Sequence, residues 1–208
     1  MEFVAATGNA GKLRELRRIL ERMGHTVVSQ KEAGILLEPE ETGETFAENA
    51  AIKARAVCEA CGKPTIADDS GLCVDALHGA PGVHSARYCG RHGDDEANND
   101  KLLKEMAGYP DKKDRTAAFV SVICVCMPDG RTLSAEGCCP GFVGYERRGV
   151  NGFGYDPLFH ALAYEERSYA ELADNEKDAV SHRGAALREL EKQLPGFLAG
   201  TTKKEPLC

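Results

Sequence analysis

The chain has 208 residues, of which 42% are hydrophobic and 28% charged, and its net charge is −7. That length allows one domain or two small lobes around a sizeable core, and the composition is that of a water-soluble globular protein. No apolar run reaches the roughly 18 residues of a membrane span. The negative charge argues against broad binding to nucleic acid or anionic membranes, while leaving room for a phosphorylated small molecule in a local basic pocket.

Phe3 to Ala6 reads as a short strand, and because no signal-peptide pattern precedes it a cytoplasmic location is expected. Thr7-Gly8-Asn9-Ala10-Gly11-Lys12 follows, and Leu13, Leu16, Leu20 and Met23 then repeat at helical spacing up to Gly24. A strand, a glycine loop and a helix in that order aim backbone N–H groups and the positive helix end at an anion. The loop is too short for a Walker A motif, and Leu13 stands where that motif needs a hydroxyl. Thr26 to Ser29 is a second strand. The acidic stretch Glu38–Glu44 is a loop, and Thr45 to Val57 is a helix with the Thr45/Glu48 spacing of a capping box. On that helix Asn49 and Lys53 lie side by side at the edge of an apolar stripe, which lets Lys53 either sit at the surface or reach a phosphate.

Asp68 and Asp69 end the apolar run that begins at Pro64, and Ser70-Gly71 follow at once. Neighbouring residues of a strand point to opposite faces, so the two acids share a target only if the strand breaks there. A turn is therefore expected at Ser70-Gly71, with a separate strand over Leu72–Asp75. Asp94 to Met106 reads as a polar helix. Arg115–Met127 and Arg131–Cys138, joined by Pro128-Asp129-Gly130, read as a long antiparallel hairpin, which makes the sheet mixed. Gly152 and Gly154 flank Phe153, a spacing that lets backbone approach a flat ligand while a ring packs on it. A helical region starts at Ser168, with Asp174 as a cap for the next segment. Leu187, Leu190 and Leu194 then form an apolar stripe, with His182-Arg183 near its start and Pro195-Gly196 as its end. One domain over 1–196 and a disordered tail over 197–208 complete the reading.

The nine cysteines include Cys58-x-x-Cys61, with no second pair to complete a zinc site. An odd number without a secretion signal points to reduced thiols, most of them small core residues, with Cys208 exposed in the tail.

Four stretches, in order, resemble the noncanonical purine nucleoside triphosphate pyrophosphatases, the inosine triphosphatase or Ham1-like family. They are Ala6–Lys12 with Glu15, Glu41-Thr42-Gly43 through Asn49 to Lys53, Ala67–Gly71 through Ser85-Ala86-Arg87-Tyr88, and Gly152–Pro157 through Ser181-His182-Arg183. The resemblance covers Phe3 to Leu194. It implies an α/β fold: an elongated mixed sheet flanked by helices, in two lobes with the active-site cleft between them. It also implies hydrolysis of ITP, dITP and XTP to monophosphate and pyrophosphate, a need for Mg²⁺ (Mn²⁺ substituting), and a homodimer. By the same resemblance Thr7, Gly8, Asn9 and Lys12 form the triphosphate loop, and Lys53 is a second phosphate cation. Glu41 and Asp69 hold the metal, with Asp69 also the proton acceptor and Asp68 in support. Ser70 contacts substrate, and Phe153, Gly154, Tyr155, Asp156, Lys177, His182 and Arg183 bind the base. The cysteine load, notably Cys138-Cys139, lies outside the family pattern. The related Maf-like pyrophosphatases are the runner-up; the Phe-Gly-Tyr-Asp and Ser-His-Arg stretches argue against them.

Overall fold

The computed structural model describes residues 1–200. Strand β1 (Glu2–Ala5) leads through helix α1 (Ala10–Arg22) to β2 (Thr26–Ser29), which pairs parallel to β1. Helix α2 (Phe46–Cys61) delivers the chain to β3 (Thr65–Val74) on the other side of β1, again parallel. A 3₁₀ segment (Gly82–Arg87) and α3 (Asp95–Met106) precede the hairpin of β4 (Thr116–Cys126) and β5 (Thr132–Val143). The short β6 (Phe159–Ala161), α4 (Asp174–Val180) and α5 (His182–Leu198) follow. The strands form one mixed sheet in the order β2-β1-β3-β4-β5-β6, antiparallel from β3 onward.

Local chemistry sets the helix starts. The Asn9 side chain accepts the Lys12 N–H at 3.0 Å, capping α1, and Thr45 with Glu48 forms the expected capping box on α2. Burial sets the layers. Leu16 and Leu20 of α1, Leu187 and Leu190 of α5 and Ile66 of β3 share one cluster. Ala50, Ala54 and Val57 of α2 pack with Ala67 on the opposite face. A third cluster gathers Leu72 and Val74 with Leu102 and Met106 of α3, Phe159 and Tyr169 at the far end of the strands. The central strands are 10, 11 and 12 residues long, about 33–40 Å at the usual rise, so the sheet is long enough to carry a core at each end. The apolar register of β3 is interrupted at Asp68–Gly71, between the two packing units, and the candidate site lies there.

Several expectations need correction. No turn interrupts β3 at Ser70-Gly71, and Leu72–Val74 continues the same strand; Asp68 to Gly71 pair in unbroken register with β4 from Ile123 to Val120. Polarity at a site, not a change of direction, explains those residues. Arg115 lies just before β4, because its guanidinium is buried and donates to the carbonyls of Met106, Tyr109, Val143 and Gly144. β5 runs five residues past Cys138, to Val143. Ser168–Leu172 holds only a 3₁₀ turn, and Asp174 is inside α4 rather than capping it: Glu176 takes the Ala173 N–H instead. Helix α5 passes through Pro195 to Leu198, so the boundary at 196 falls inside an element. The last turn is held because Phe197 is buried in the core and Arg131 donates to its carbonyl at 2.7 Å, which outweighs the hydrogen bond lost to proline. The expectations for residues 201–208, including Cys208, lie outside the described residues. Among the described residues all eight cysteines are free thiols, and no helix is long and apolar enough to cross a membrane.

Candidate active site

β1 stops at Ala5 while β3 continues, so one edge of β3 is open beyond Ile66. Along that edge the carbonyls of Pro64 and Ile66 accept the Val4 and Ala6 N–H groups at 2.9 Å. The next carbonyl in the row, that of Asp68, has no strand to meet. It takes the Lys53 ammonium at 3.0 Å and the Lys12 ammonium at 3.5 Å. Two lysines from opposite faces of the sheet thus converge on one strand edge, and a cavity of about 810 Å³ opens there.

The adjacent acids have different environments. Asp69 faces α2. It accepts Lys53 Nζ at 2.9 Å through Oδ1, and its buried Oδ2 has no partner among the described residues. Lys53 Nζ also reaches Glu41 at 2.7 Å. Burial pushes the Asp69 carboxyl above its ordinary pKa, against the pull of Lys53 and Lys12. Burial likewise disfavours the Lys53 ammonium, but Asp69 and Glu41 outweigh it and raise its pKa. Asp68 faces α1 and α5 and is buried. It accepts from Arg183 at 2.9 Å, Lys12 at 3.0 Å, Ser70 at 3.1 Å and Ser121. Burial would raise its pKa, yet Arg183 and Lys12 hold it well below the usual carboxylate range. Asp69 is the carboxylate with a lone pair to offer, whereas Asp68 is fully engaged and does not line the cavity.

Glu41 is positioned from α2: buried Asn49 accepts the Gly43 N–H at 2.8 Å, anchoring the loop that carries Glu41. At the mouth of α1, Thr7 Oγ1 accepts the Asn9 N–H at 3.1 Å, which shapes the loop around Gly8. Burial lowers the Lys12 pKa, with Asp68 opposing.

The other end of the cavity is an ion network. Glu15 of α1 accepts from Lys177 at 2.9 Å and from Arg183, and Lys177 also donates to Asp156 at 2.6 Å. Although Glu15 is buried, Arg183 and Lys177 bring its pKa down to about 2. Asp156 accepts the Phe153 N–H at 2.9 Å, and Tyr155 donates to the Ser85 carbonyl at 2.9 Å. Asp95 and Asn99 of α3 hold the Gly154 N–H and carbonyl at 2.7 and 2.8 Å. The Phe153 ring lies 5.0 Å from the Lys177 ammonium. The His182 ring stacks on Phe119 with centroids 4.6 Å apart, and its buried Nδ1 has no partner among the described residues. Burial and the neighbouring Arg183 charge hold its pKa well below the ordinary value, so it is neutral at pH 7.

Every residue expected at the site lines this cavity except Asp68. Three features constrain the base end. His182 and Arg183 are both buried. Arg183 is not an open donor, since its terminal nitrogens serve Glu15, Asp68 and Ser70; its buried Nε has no partner among the described residues. The Phe153 and Gly154 N–H groups are taken by Asp156 and Asp95, so the glycine loop offers shape more than these two donors. Sequence reasoning assigned no role to Glu15 or Arg87, though both lie in the quoted stretches, and it passed over Phe119 and Asp95. The signal for Glu15 was a carboxylate beside Leu16 on the buried side of α1. Phe119, in a uniformly apolar strand, carried none.

Glu41 and Asp69 fit a hard divalent cation. Both offer oxygen, one oxygen of Asp69 is buried and unpartnered, and an ion such as Mg²⁺ is commonly held by one or two carboxylates together with substrate phosphates.

A model of the Ham1 family matches residues 3–193. The dITP/XTP pyrophosphatase of Bacillus cereus is 46% identical over 96% of this chain and 97% of its own length. That of Bacillus subtilis is 47% identical over 93% of this chain and 96% of its own. The structure of the Staphylococcus aureus Ham1 protein superposes with a TM-score of 0.81 at 40% identity, over 95% of this chain and all of that one. A HAM1 protein from Coxiella burnetii gives the same TM-score at 41% identity, over 94% of this chain.

Proposed function

The chain belongs to the Ham1 family, and from that premise we propose that it hydrolyses dITP, ITP and XTP to the monophosphate and pyrophosphate. The observation that carries the reading is the charge arrangement at the open edge of β3. A buried, unpartnered carboxylate oxygen of Asp69 lies beside two lysines, at one end of a cavity whose other end is aromatic and hydrogen-bonding.

In this reading the α-phosphate sits at Asp69. Asp69 accepts a proton from the attacking water as the water oxygen bonds to the α-phosphorus. The bond from that phosphorus to the α,β-bridging oxygen breaks, and pyrophosphate leaves with the electron pair. Lys12 and Lys53 face the developing negative charge, and the loop Thr7-Gly8-Asn9 turns the positive N-terminal end of α1 toward the phosphates. Glu41 and Asp69 would hold Mg²⁺, or Mn²⁺ in its place, which when bound neutralises phosphate charge and acidifies water nearby. Asp68 supports the site indirectly by fixing Arg183, Lys12 and Ser70.

Base selection rests on the far end. Phe153 packs on the purine face. The neutral His182 imidazole, held by Phe119, presents one N–H, which pairs with the 6-carbonyl of hypoxanthine or xanthine and is left unpaired by the 6-amino group of adenine. Sites built on such bonds discriminate by roughly 10⁴-fold. Glu15, Asp156 and Lys177 act by holding Arg183 and the Phe153 loop. The same reading places a two-lobed cytoplasmic homodimer behind the activity, acting on free nucleotides and not on nucleic acid or membranes.

Pyrophosphate release from ITP, dITP, XTP, GTP and ATP in Mg²⁺ buffer tests the proposal. High turnover of the first three with little on ATP is expected, and equal rates on ITP and ATP would overturn the base-selection argument. Light scattering on the purified protein reads the oligomeric state.

A further inference from the structure

Glu41 lies between two cations from different elements. Lys53 of α2 holds Oε1 at 2.7 Å, and Arg87 holds Oε2 at 3.5 Å. Arg87 has no part in the steps above, yet it lines the cavity and is about a third exposed, at 35% for the side chain.

Its backbone is fixed from three sides. Ser85 donates to the Gly82 carbonyl at 2.7 Å and accepts the Leu72 N–H of β3 at 3.0 Å. Tyr155 of the base loop donates to the Ser85 carbonyl, and Asn98 of α3 to the Ala86 carbonyl at 3.4 Å. Gly71 lets the segment press on the strand: a Cβ there would come within 2.4 Å of both the Gly82 carbonyl and Ser85 Oγ. The guanidinium therefore springs from a rigid support while its head, with five possible N–H donors, has one long contact among the described residues.

The contacts run in order along the cavity: the base-side group Arg183 to Ser70 and Asp68, then neighbouring Asp69 to Lys53, Lys53 to Glu41, and Glu41 to Arg87. With the base beside His182 and the α-phosphate at Asp69, the pyrophosphate end lies toward Glu41 and Arg87. Charge points the same way. Asp69 and Glu41 face Lys12, Lys53 and Arg87, and if both carboxylates turned to a divalent cation, Arg87 would lose Glu41, its one carboxylate partner among the described residues.

We infer that Arg87 is a catalytic residue for the leaving group. Its guanidinium exchanges Glu41 for the β- and γ-phosphates and binds the pyrophosphate as the bond from the α-phosphorus to the bridging oxygen breaks. A planar fork suits two phosphate oxygens better than an ammonium does. This rests on the pyrophosphatase reading.

The test compares wild type with Arg87→Gln and Arg87→Lys in the full chain. Calorimetry reads the binding of inorganic pyrophosphate and of inosine monophosphate in Mg²⁺ buffer, kinetics reads kcat and KM for ITP, and thermal melting reads the fold. Losing a charged hydrogen bond predicts pyrophosphate binding roughly 10- to 100-fold weaker in Arg87→Gln. Monophosphate affinity and melting temperature should be unchanged, kcat should fall more than KM rises, and Arg87→Lys should be intermediate. Pyrophosphate affinity equal to wild type overturns the inference, as does an equal loss of monophosphate binding or a lowered melting temperature, which would mark a structural residue. If wild type releases no pyrophosphate from ITP, the underlying reading fails instead; the pyrophosphate-binding comparison does not depend on turnover.

Discussion

Exchanging each of the adjacent acids for its amide should separate fold from chemistry. In Asp68→Asn the buried carboxylate charge disappears from the centre of four donors. Arg183 keeps only Glu15 as a charged partner, Lys12 loses its carboxylate, and the new NH₂ is turned toward groups that themselves donate. Removing one partner of a buried ion pair costs about 3–5 kcal/mol. For a domain of this size each kcal/mol moves the melting temperature by about 2–4 °C, so a fall of roughly 6–20 °C is expected. Asp69→Asn differs. Its carboxylate has one charged partner and one bare oxygen, its pKa is already raised by burial, and Lys53 keeps Glu41 and the Asp68 carbonyl. Stability should change by no more than about 1 kcal/mol. Turnover should fall by about 10²–10⁴, the usual range for loss of a general base, with nucleotide binding largely retained. Circular-dichroism melts, a pyrophosphate-release assay and nucleotide titration measure all three. The reasoning is refuted if Asp68→Asn melts with wild type, if Asp69→Asn loses stability equally, or if Asp69→Asn retains turnover.

Stability should fall in acid in two stages. The His182 pKa is depressed in the fold, so its contribution is present above the unfolded value near 6.5 and is lost as pH falls below it. Glu15, with a folded pKa of about 2 against an ordinary 4.5, adds about 3 kcal/mol that is complete above pH 4.5 and lost as pH falls toward 2; denaturant melts across pH should show the lower stage shrink in Glu15→Gln, with Asp68, whose pKa is also depressed, supplying the remainder. Lys53→Met leaves Asp69 and Glu41 without their shared cation, and kcat should drop about 10²- to 10³-fold in steady-state kinetics. A Cβ at Gly11 would lie 2.4 Å from the Phe153 ring, so Gly11→Ala should move that ring and change KM for ITP, while a melt shows stability kept or raised by up to about 1 kcal/mol. Alkylation near neutral pH followed by peptide mass analysis should label exposed Cys138 well before Cys58, which is buried and whose thiol burial pushes up to about 12.

Legibility in the sequence followed the physics of each feature. The start of α2 was readable because its cap is local: Thr45 sits three residues from the Glu48 N–H it binds, the same kind of bond that Asn9 and Asp94 make for α1 and α3. The hairpin was readable because β4 is rich in Val, Ile and Cys and the turn carries Pro128 and Gly130. What failed was non-local. Nothing near Pro195 in sequence shows that Phe197 is buried and held by Arg131. Nothing near Ser70 shows that its partners are Arg183 and Asp68 rather than the chain itself in a turn. The resemblance pointed to residues that line the cavity, but not to which groups are already bonded to each other, as Arg183 is to Glu15, Asp68 and Ser70 and the glycine loop is to Asp156 and Asp95.

The acidic pair gains its meaning from the length difference between two neighbouring strands. Had β3 turned at Ser70, both carboxylates could have faced one ion, and the site would hold two equivalent acids. The strand stays regular, so the acids must differ, and the open edge lets residues from both faces meet. Lys12 comes from α1 on one face and Lys53 from α2 on the other, and both close on the Asp68 carbonyl that β1 is too short to pair. An exposed backbone acceptor is thus satisfied by two cations, and those cations are held where a triphosphate would lie. On one side Asp68 binds the network that braces the base end; on the other Asp69 keeps an oxygen free. Pairing the Asp68 carbonyl with a longer β1 would satisfy the edge with a neutral N–H, and the lysines would lose the contact that brings them together.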